Sequence, residues 1–167
     1  SELDIIDEIS FSNDERYFSV NIHVEEQGND YINIYSSVNW EIIKQFSHDR
    51  IGDMALSPDG NMISIAGYDG FIRIWDIETG DLIFKDIHTE GGRPRSVLFS
   101  NDSKYVLGYG GINYKNISLK YWEIQSQQIV KINKIDEKEE YGGYWAISPK
   151  NSYLLFYNNL YLYLIKE

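Results

Sequence analysis

The sequence contains no cysteine, and this absence excludes disulfides, thiolate nucleophiles and sulfur-ligated metal sites. Basic residues are also scarce, since 26 acidic residues outnumber 15 lysines and arginines and give a formal net charge of −11. A surface with that charge repels phosphate backbones and anionic lipids, so we expect the protein to bind neither nucleic acid nor membrane. The one compact basic segment is Arg93-Pro94-Arg95, which we interpret as neutralising nearby acids such as Glu90.

Long apolar runs are missing as well. No run approaches the roughly 18 apolar residues that are needed to span a bilayer. Residues 1–10 also lack the basic flank and apolar core of a signal peptide. These absences predict an intracellular protein, cytoplasmic rather than nuclear.

Proline is rare, with three residues, whereas aromatic residues make up 15% of the chain and include 14 tyrosines. Short alternating segments such as Tyr-Ile-Asn-Ile-Tyr at residues 31–35 recur along the chain. Both features favour strands over helices, and they predict an all-β fold.

A serine followed by turn-forming residues occurs four times, at intervals of 45, 43 and 48 residues. After each serine come an apolar segment, a polar turn, a second alternating segment and another polar turn. This period and order are typical of the four-stranded antiparallel blades of a β-propeller. The four segments are Phe11–Asp14, Leu56–Asp59, Phe99–Asp102 and Ile147–Lys150.

The chain is therefore predicted to form a single partial propeller over residues 1–167, with about 3.75 blades. The four strands of a blade are designated a to d, and strand d of the fourth blade is absent from the predicted set. The predicted blades comprise residues 5–46, 51–87, 95–133 and 143–167. The predicted strands are 6–11, 17–24, 31–36 and 40–46 in the first blade; 52–56, 62–66, 71–77 and 82–87 in the second; 96–100, 105–108, 118–124 and 128–132 in the third; and 144–147, 153–156 and 160–165 in the fourth.

The second copy resembles the WD-repeat family of β-propellers. It has Met-Ala-Leu-Ser-Pro-Asp-Gly at residues 54–60, Gly-Tyr-Asp-Gly at 67–70 and Ile-Arg-Ile-Trp-Asp at 72–76. The resemblance implies a hydrogen-bond network between a histidine before strand a, a hydroxyl of strand b, an aspartate after strand b and a tryptophan that ends strand c. The matching residues are His48, Asp69 and Trp75, while Ala66 and Gly67 stand where the hydroxyl belongs.

The third copy matches this pattern in part. His88 and Trp122 match the family's histidine and tryptophan, but Asn116 replaces the aspartate and Glu123 replaces the aspartate of the Trp-Asp pair. The first and fourth copies lack the pair altogether. Because Asn116 cannot titrate, we interpret the repeated network as structural rather than as an acid–base pair, and no catalytic residue, cofactor or metal is predicted.

Three connections on one face of the predicted propeller are expanded, at residues 25–30, 110–116 and 134–140. Loops on a rigid scaffold commonly carry binding sites, although loop lengths also vary without function. We therefore expect a non-catalytic protein-interaction scaffold in a multiprotein assembly. Its acidic charge suggests that the partners are basic peptides or protein surfaces. The candidate contact residues are Tyr68, Tyr114, Lys115, Tyr141 and Tyr144.

An arc of fewer than four blades leaves an apolar blade face and a strand edge uncovered. We therefore expect the remaining blades to come from the same polypeptide or from another chain, and a second copy is one candidate.

The alternative function is an enzyme, or a propeller that binds a small ligand or metal in its central channel. Such a site requires polar residues that converge at the inner ends of the strands a. The residues available there are Asp7, Glu8, Gly52, Asp53, Gly142 and Gly143.

Overall fold

The computed structural model describes the backbone of residues 5–24, 29–87, 92–112, 115–135, 144–147, 153–158 and 161–166. Side chains are described for residues 5–24, 29–87, 92–111 and 118–130. The regular secondary structure within these ranges is entirely β-strand, so the predicted all-β fold class is confirmed.

In the described part of the chain, fifteen strands form four antiparallel sheets, and the strands of each sheet lie side by side in chain order. This is the arrangement of propeller blades, and we number the sheets as blades 1 to 4. Blade 1 contains β1 (Ile5–Phe11), β2 (Tyr17–His23), β3 (Asn29–Ser36) and β4 (Ile42–Asp49); blade 2 contains β5 (Ile51–Leu56), β6 (Met62–Gly67), β7 (Phe71–Asp76) and β8 (Leu82–Ile87). Blade 3 contains β9 (Arg93–Phe99), β10 (Tyr105–Ile112), β11 (Lys115–Glu123) and β12 (Gln128–Ile135); blade 4 contains β13 (Tyr144–Ile147), β14 (Tyr153–Asn158) and β15 (Tyr161–Lys166).

Most strands begin and end within a few residues of their predicted bounds, and the differences have structural causes. β4 ends at Asp49 rather than Phe46 because it pairs with β3 as far as Asn29. The β10–β11 hairpin extends into the predicted loop 110–116, because a register shift between Gly110 and Ile112 lets the pairing continue to Lys115. How residues 1–167 divide into domains stays a prediction.

The recurring serine closes the turn between the first two strands of blades 1, 2 and 3. In blade 2, Ser57 Oγ donates to Asp59 Oδ1 at 2.6 Å and accepts from the amide of Met62 at 2.9 Å. The equivalent serine–aspartate hydrogen bonds, Ser12–Asp14 and Ser100–Asp102, are both 2.6 Å long. A repeated sequence motif therefore produces a repeated turn.

Two hydrophobic layers hold the first three blades together. The first layer lies between blades 1 and 2, and the second lies between blades 2 and 3. In both layers, isoleucines from strand c of one blade pack on strands a and b of the next blade. The buried residues are Ile32, Ile34, Ile51, Met54, Leu56, Ile63, Ile65 and Ile77 in the first layer, and Ala66, Ile72, Ile74, Phe84, Val97, Phe99, Val106 and Trp122 in the second.

The strands a of these blades form the inner side of the arc, since β5 lies next to both β1 and β9. Each strand has a register shift near its start, which lies between Ile6 and Glu8 in β1 and between Ile51 and Asp53 in β5. A bulge of this kind turns the following residue toward the neighbouring blade. Glu8 and Asp53 therefore occupy equivalent positions.

Candidate functional site

His48, Asp69 and Arg73 form a polar group where blade 1 meets blade 2. His48 lies near the end of β4, and its Nδ1 is 2.8 Å from the carbonyl oxygen of Asp49. Its Nε2 is 2.9 Å from Arg73 Nη1 and 3.8 Å from Asp69 Oδ2. The simplest assignment of the hydrogen bonds has Nδ1 donate to the carbonyl oxygen and Nε2 accept from arginine.

The carboxylate of Asp69 is paired with Arg73 rather than with the histidine. Arg73 Nη1 and Nη2 each donate to one oxygen of Asp69, and the amide of Phe71 donates to Oδ1 at 3.2 Å. Burial alone would raise the pKa of Asp69, but the bonds from Arg73 and the Phe71 amide outweigh burial and lower it. This geometry supports a structural role for His48 and Asp69.

Gly67 explains why no hydroxyl accompanies this group. A Cβ on Gly67 would lie 2.5 Å from His48 Cε1 and 2.6 Å from Asp69 Oδ1. The imidazole and the carboxylate thus fill the space that a side chain on strand b would need.

Trp75 lies on the same strand as Arg73 but packs in the first hydrophobic layer. Its ring centroid is 5.5 Å from that of Phe46, at an interplanar angle of 45°. The predicted set of blade 2 therefore divides into a polar group, His48–Arg73–Asp69, and an aromatic contact, Phe46–Trp75.

Trp122 is fully buried in the second layer. Its Nε1 donates to Asp86 Oδ2 at 2.5 Å, and its ring packs edge-on against Phe84 at 6.0 Å. His88 lies outside the described residues and Asn116 is placed on β11 by its backbone alone, so the network predicted for blade 3 stays a prediction.

Arg73 and Asp86 were not among the residues singled out from the sequence. The sequence pattern could have identified Arg73, because it alternates with Phe71 and Trp75 and so shares their face of β7. The pattern could not have identified Asp86, because its partner Trp122 lies 36 residues further along the chain, in another blade.

Of the predicted contact residues, Tyr68 is described in full. It follows β6, is 37% exposed, and has the guanidinium carbon of Arg93 4.6 Å from its ring centroid. Lys115 and Tyr144 begin strands β11 and β13, whereas Tyr114 and Tyr141 lie outside the described residues. Glu90, the acid expected near Arg93, also lies outside the described residues.

Close backbone approach holds Tyr68 and Arg93 together. A Cβ on Gly52 would lie 2.7 Å from the carbonyl oxygen of Pro94 and 3.2 Å from Tyr68 Cε1. Glycine at this position therefore lets β9 approach β5, and the approach brings Arg93 over the ring. The Tyr68–Arg93 pair joins blades 2 and 3 at the loop face, which we define as residues 49–50, 68–70 and 92–93.

Glu8 and Asp53 meet on the inner side of the arc, where the alternative function would require a site. Asp53 accepts from the amides of Met54 at 2.9 Å and Val97 at 2.7 Å, while Glu8 Oε2 lies 3.3 Å from the amide of Met54. Burial, then the charge of Asp53 and a hydrogen bond with it, raise the pKa of Glu8 to about 8. Burial also raises the pKa of Asp53.

These two carboxyl groups act as inter-blade acceptors. The raised pKa values of both groups fit a proton shared between Glu8 and Asp53, while Asp53 accepts from the amide of Val97 in blade 3. Within the described part of the chain, no three histidine, aspartate or glutamate side chains are grouped so as to hold a metal ion. Gly142 and Gly143 lie outside that part.

Asp30 is a second buried carboxylate between blades and is 2% exposed, although the sequence placed it in the expanded connection 25–30. One oxygen is 2.6 Å from His23 Nδ1, and the other accepts from the amide of Ile51 at 2.5 Å. The hydrogen bond with Asp30 raises the pKa of His23. The two residues are direct cross-strand partners in the β2–β3 hairpin, which only the strand register reveals.

Residues 40–76 match the WD40 family model, described as "WD domain, G-beta repeat". This match confirms the resemblance that was predicted from the sequence, and the four-stranded antiparallel sheets make the fold class that of a partial β-propeller. Across the described residues the structure also contains no helix long and apolar enough to cross a membrane.

Among particular proteins, the chain is similar to the small ribosomal subunit protein RACK1 of Glycine max, with 30% identity over 90 residues, 54% of this chain and 26% of that protein. It is also similar to GID complex subunit 7 of Schizosaccharomyces pombe, with 31% identity over 102 residues, 57% of this chain and 19% of that protein. The chain thus spans about a quarter or less of the length of these relatives.

Among solved structures, hydrazine synthase of Kuenenia stuttgartiensis superposes with a TM-score of 0.67 over 89% of this chain and 42% of that chain. The sequence identity is 17%, so the likeness concerns the fold alone.

Proposed function

We propose that this protein is a non-catalytic interaction scaffold that binds partner proteins through its loop face. The observation that carries the proposal is the Tyr68–Arg93 pair, an exposed aromatic and cationic pair held by two blades. Tyrosine and arginine are enriched at protein interfaces, where they contribute much of the binding energy.

The scaffold beneath the loop face is rigid for identifiable reasons. The His48–Arg73–Asp69 group fixes the turn beside Tyr68, and the close contact at Gly52 fixes the strand that carries Arg93. A partner that docks on such a surface immobilises few additional groups, so less conformational entropy is lost on binding. In this view the polar group supports recognition and does no chemistry.

The similar proteins support membership of a multiprotein assembly. One is a protein of the small ribosomal subunit, one is a subunit of the GID complex, and a third, Shk1 kinase-binding protein 15 of S. pombe, is named for binding a kinase. The third relative is 29% identical over 89 residues, 47% of this chain and 24% of that protein. We place this chain in an intracellular assembly, cytoplasmic rather than nuclear.

We further propose that the partner surface is basic. The net charge of −11 favours approach of cationic surfaces, and a tyrosine ring that already binds one guanidinium suits a partner's lysine or arginine. Tyr114, Lys115, Tyr141 and Tyr144 complete the proposed contact set.

Binding of a fluorescent arginine-rich peptide, followed by anisotropy, tests this proposal. We expect saturable binding that Tyr68→Ala weakens by about tenfold, roughly the loss of one aromatic contact. Val130→Ala is the matched control, because Val130 is an exposed apolar residue on the outer strand β12. Equal binding by both variants, or equal binding of a glutamate-rich peptide, contradicts the proposal.

A further inference from the structure

Two arginines occupy the same repeat position on the loop face. Arg50 and Arg93 each lie seven residues before the repeated serine of their blade, which is Ser57 or Ser100. Both side chains are exposed, and both residues lie where strand a begins, at β5 in blade 2 and at β9 in blade 3. Because β5 and β9 are neighbours, the two positions are adjacent on the loop face.

Tyr68 connects these two positions. Its backbone amide donates to the carbonyl oxygen of Arg50 at 3.0 Å, and its ring centroid lies 4.6 Å from the guanidinium carbon of Arg93. The two arginines are therefore arranged around one exposed aromatic side chain. We call Arg50, Tyr68 and Arg93 the arginine site.

Two glycines fix the backbone of Arg93 from either side of β9. A Cβ on Gly110 of β10 would lie 2.5 Å from the carbonyl oxygen of Arg93 and 2.7 Å from Cα of Pro94. A Cβ on Gly52 of β5 would lie 2.7 Å from the carbonyl oxygen of Pro94. The start of β9 is thus packed closely against both neighbouring strands, and this packing gives Arg93 a defined position.

Arg50 has a backbone conformation that glycine adopts freely and arginine rarely. Its φ is 44°, in the left-handed region, and the hydrogen bond from the Tyr68 amide holds its carbonyl group in place. Backbone strain of this kind occurs at binding sites, where the use of the side chain offsets its cost. The strain therefore points to a role for the arginine side chain that glycine could not perform.

No described carboxylate lies within ion-pair distance of the guanidinium of Arg50 or Arg93. Asp69, which follows Tyr68 in the chain, is paired through both oxygens with Arg73 instead. The two guanidinium groups thus give the loop face a positive spot on a chain of net charge −11. A guanidinium binds a carboxylate through two parallel N–H donors.

We propose that the arginine site binds a carboxylate of the partner protein. This inference rests on the proposed function and specifies one chemical group of the partner. At long range the net charge favours a basic partner surface, whereas at contact distance the two arginines favour one acidic side chain within that surface. A carboxylate suits the site better than a phosphate, because its smaller negative charge meets less repulsion from the rest of the chain.

Binding of two matched arginine-rich peptides, followed by anisotropy, tests this inference. One peptide has a central glutamate, and the other has a glutamine of nearly the same shape at that position. We expect the parent chain to bind the glutamate peptide about tenfold more tightly, because only the carboxylate forms charge-assisted hydrogen bonds with the arginines. The preference should shrink with added salt, which screens exposed charges.

Substitutions locate the preference. Arg50→Gln and Arg93→Gln should each reduce the ratio of the two dissociation constants to about twofold or less. Lys104→Gln is the matched control and should keep the tenfold ratio, since it removes the same charge from an exposed turn at the other end of β9. Arg50→Gly should also lose the preference, while its urea midpoint does not fall, because glycine adopts a positive φ without strain.

The outcomes separate this inference from the proposed function. Equal binding of the two peptides by the parent chain overturns the carboxylate site and leaves the scaffold proposal standing. If the parent binds neither peptide, the proposed function fails and the inference fails with it. A tenfold ratio that survives both glutamine substitutions overturns the inference, and so does tighter binding of a peptide with a central phosphoserine.

Discussion

Arg73 determines the chemistry of the group around His48. It donates to the imidazole and to both oxygens of Asp69, so the histidine and the carboxylate meet through a cation. Because both oxygens of Asp69 are paired with the guanidinium, this arrangement supports the interpretation that the group stabilises a turn.

Removing Arg73 tests this assignment. Arg73→Ala removes the guanidinium that donates to Asp69 and to His48 Nε2, so we expect the free energy of unfolding to fall by about 1 to 3 kcal/mol in urea denaturation. Arg73→Lys should recover part of the loss, and Lys104→Ala, at an exposed turn, should cost less than about 0.5 kcal/mol. An unchanged stability of Arg73→Ala would show that the group contributes little.

The raised pKa of Glu8 predicts how the stability of the fold depends on pH. Its pKa rises from 4.5 to about 8 on folding, so the folded chain binds this proton more tightly than the unfolded chain. The stabilisation is complete below pH 4.5 and is lost as the pH rises through about 8. We expect a loss on the order of 2 kcal/mol between pH 5 and 8, less than full burial would give because water partly screens the carboxyl.

Glu8→Gln keeps the hydrogen-bonding shape without the titration. Its free energy of unfolding should vary less between pH 5 and 8 than that of the parent, and exposed Glu15→Gln should follow the parent curve. If the free energy of unfolding of the parent chain rises between pH 5 and 8, the prediction is contradicted.

At this scale the sequence motif drew attention to His48, Asp69 and Trp75, because their spacing follows one repeat, although Trp75 packs apart from the other two. It could not identify Asp30, Asp53 or Asp86 as inter-blade acceptors, because their partners are fixed by how neighbouring blades stack. Two contacts illustrate this limit. Phe46 of blade 1 packs against the ring of Trp75 in blade 2, and Asp86 of blade 2 accepts a hydrogen bond from Trp122 in blade 3.

Individual strands and turns were the most predictable elements. The serine motif places the turn after strand a in three described blades, and strand bounds follow from the turn residues that flank them. The extended β10–β11 hairpin was missed because its glycine-rich segment suggests a loop, whereas a register shift keeps the strands paired. Trp40 was placed in a strand, but it lies in the turn before β4 with a φ of 61°.

The serine motif makes a prediction at the scale of one turn. Ser57→Ala removes a donor to Asp59 and an acceptor for the Met62 amide, so we expect a loss of about 1 to 2 kcal/mol in the free energy of unfolding. Ser47→Ala, at an exposed site on β4, is the matched control and should change it by less than about 0.5 kcal/mol. Equal effects of the two substitutions would mean that the motif marks the turn without stabilising it.

For the whole molecule, the period of the repeats predicted the fold class, while the structure supplied the packing between blades. Two hydrophobic layers and the carboxyl groups of Glu8, Asp30, Asp53 and Asp86 join three blades into one arc. That rigidity is what a scaffold needs, because it fixes the loop face before a partner arrives.

Quantitative affinity capture from cells tests the central claim, that the loop face binds partner proteins, most directly. The tagged chain should retain a defined set of proteins that cross-link to residues at or near Tyr68 and Arg93. Tyr68→Ala should lose most of that set, while Val130→Ala keeps it. Capture that is the same for all three chains, or cross-links confined to other faces, would contradict the account.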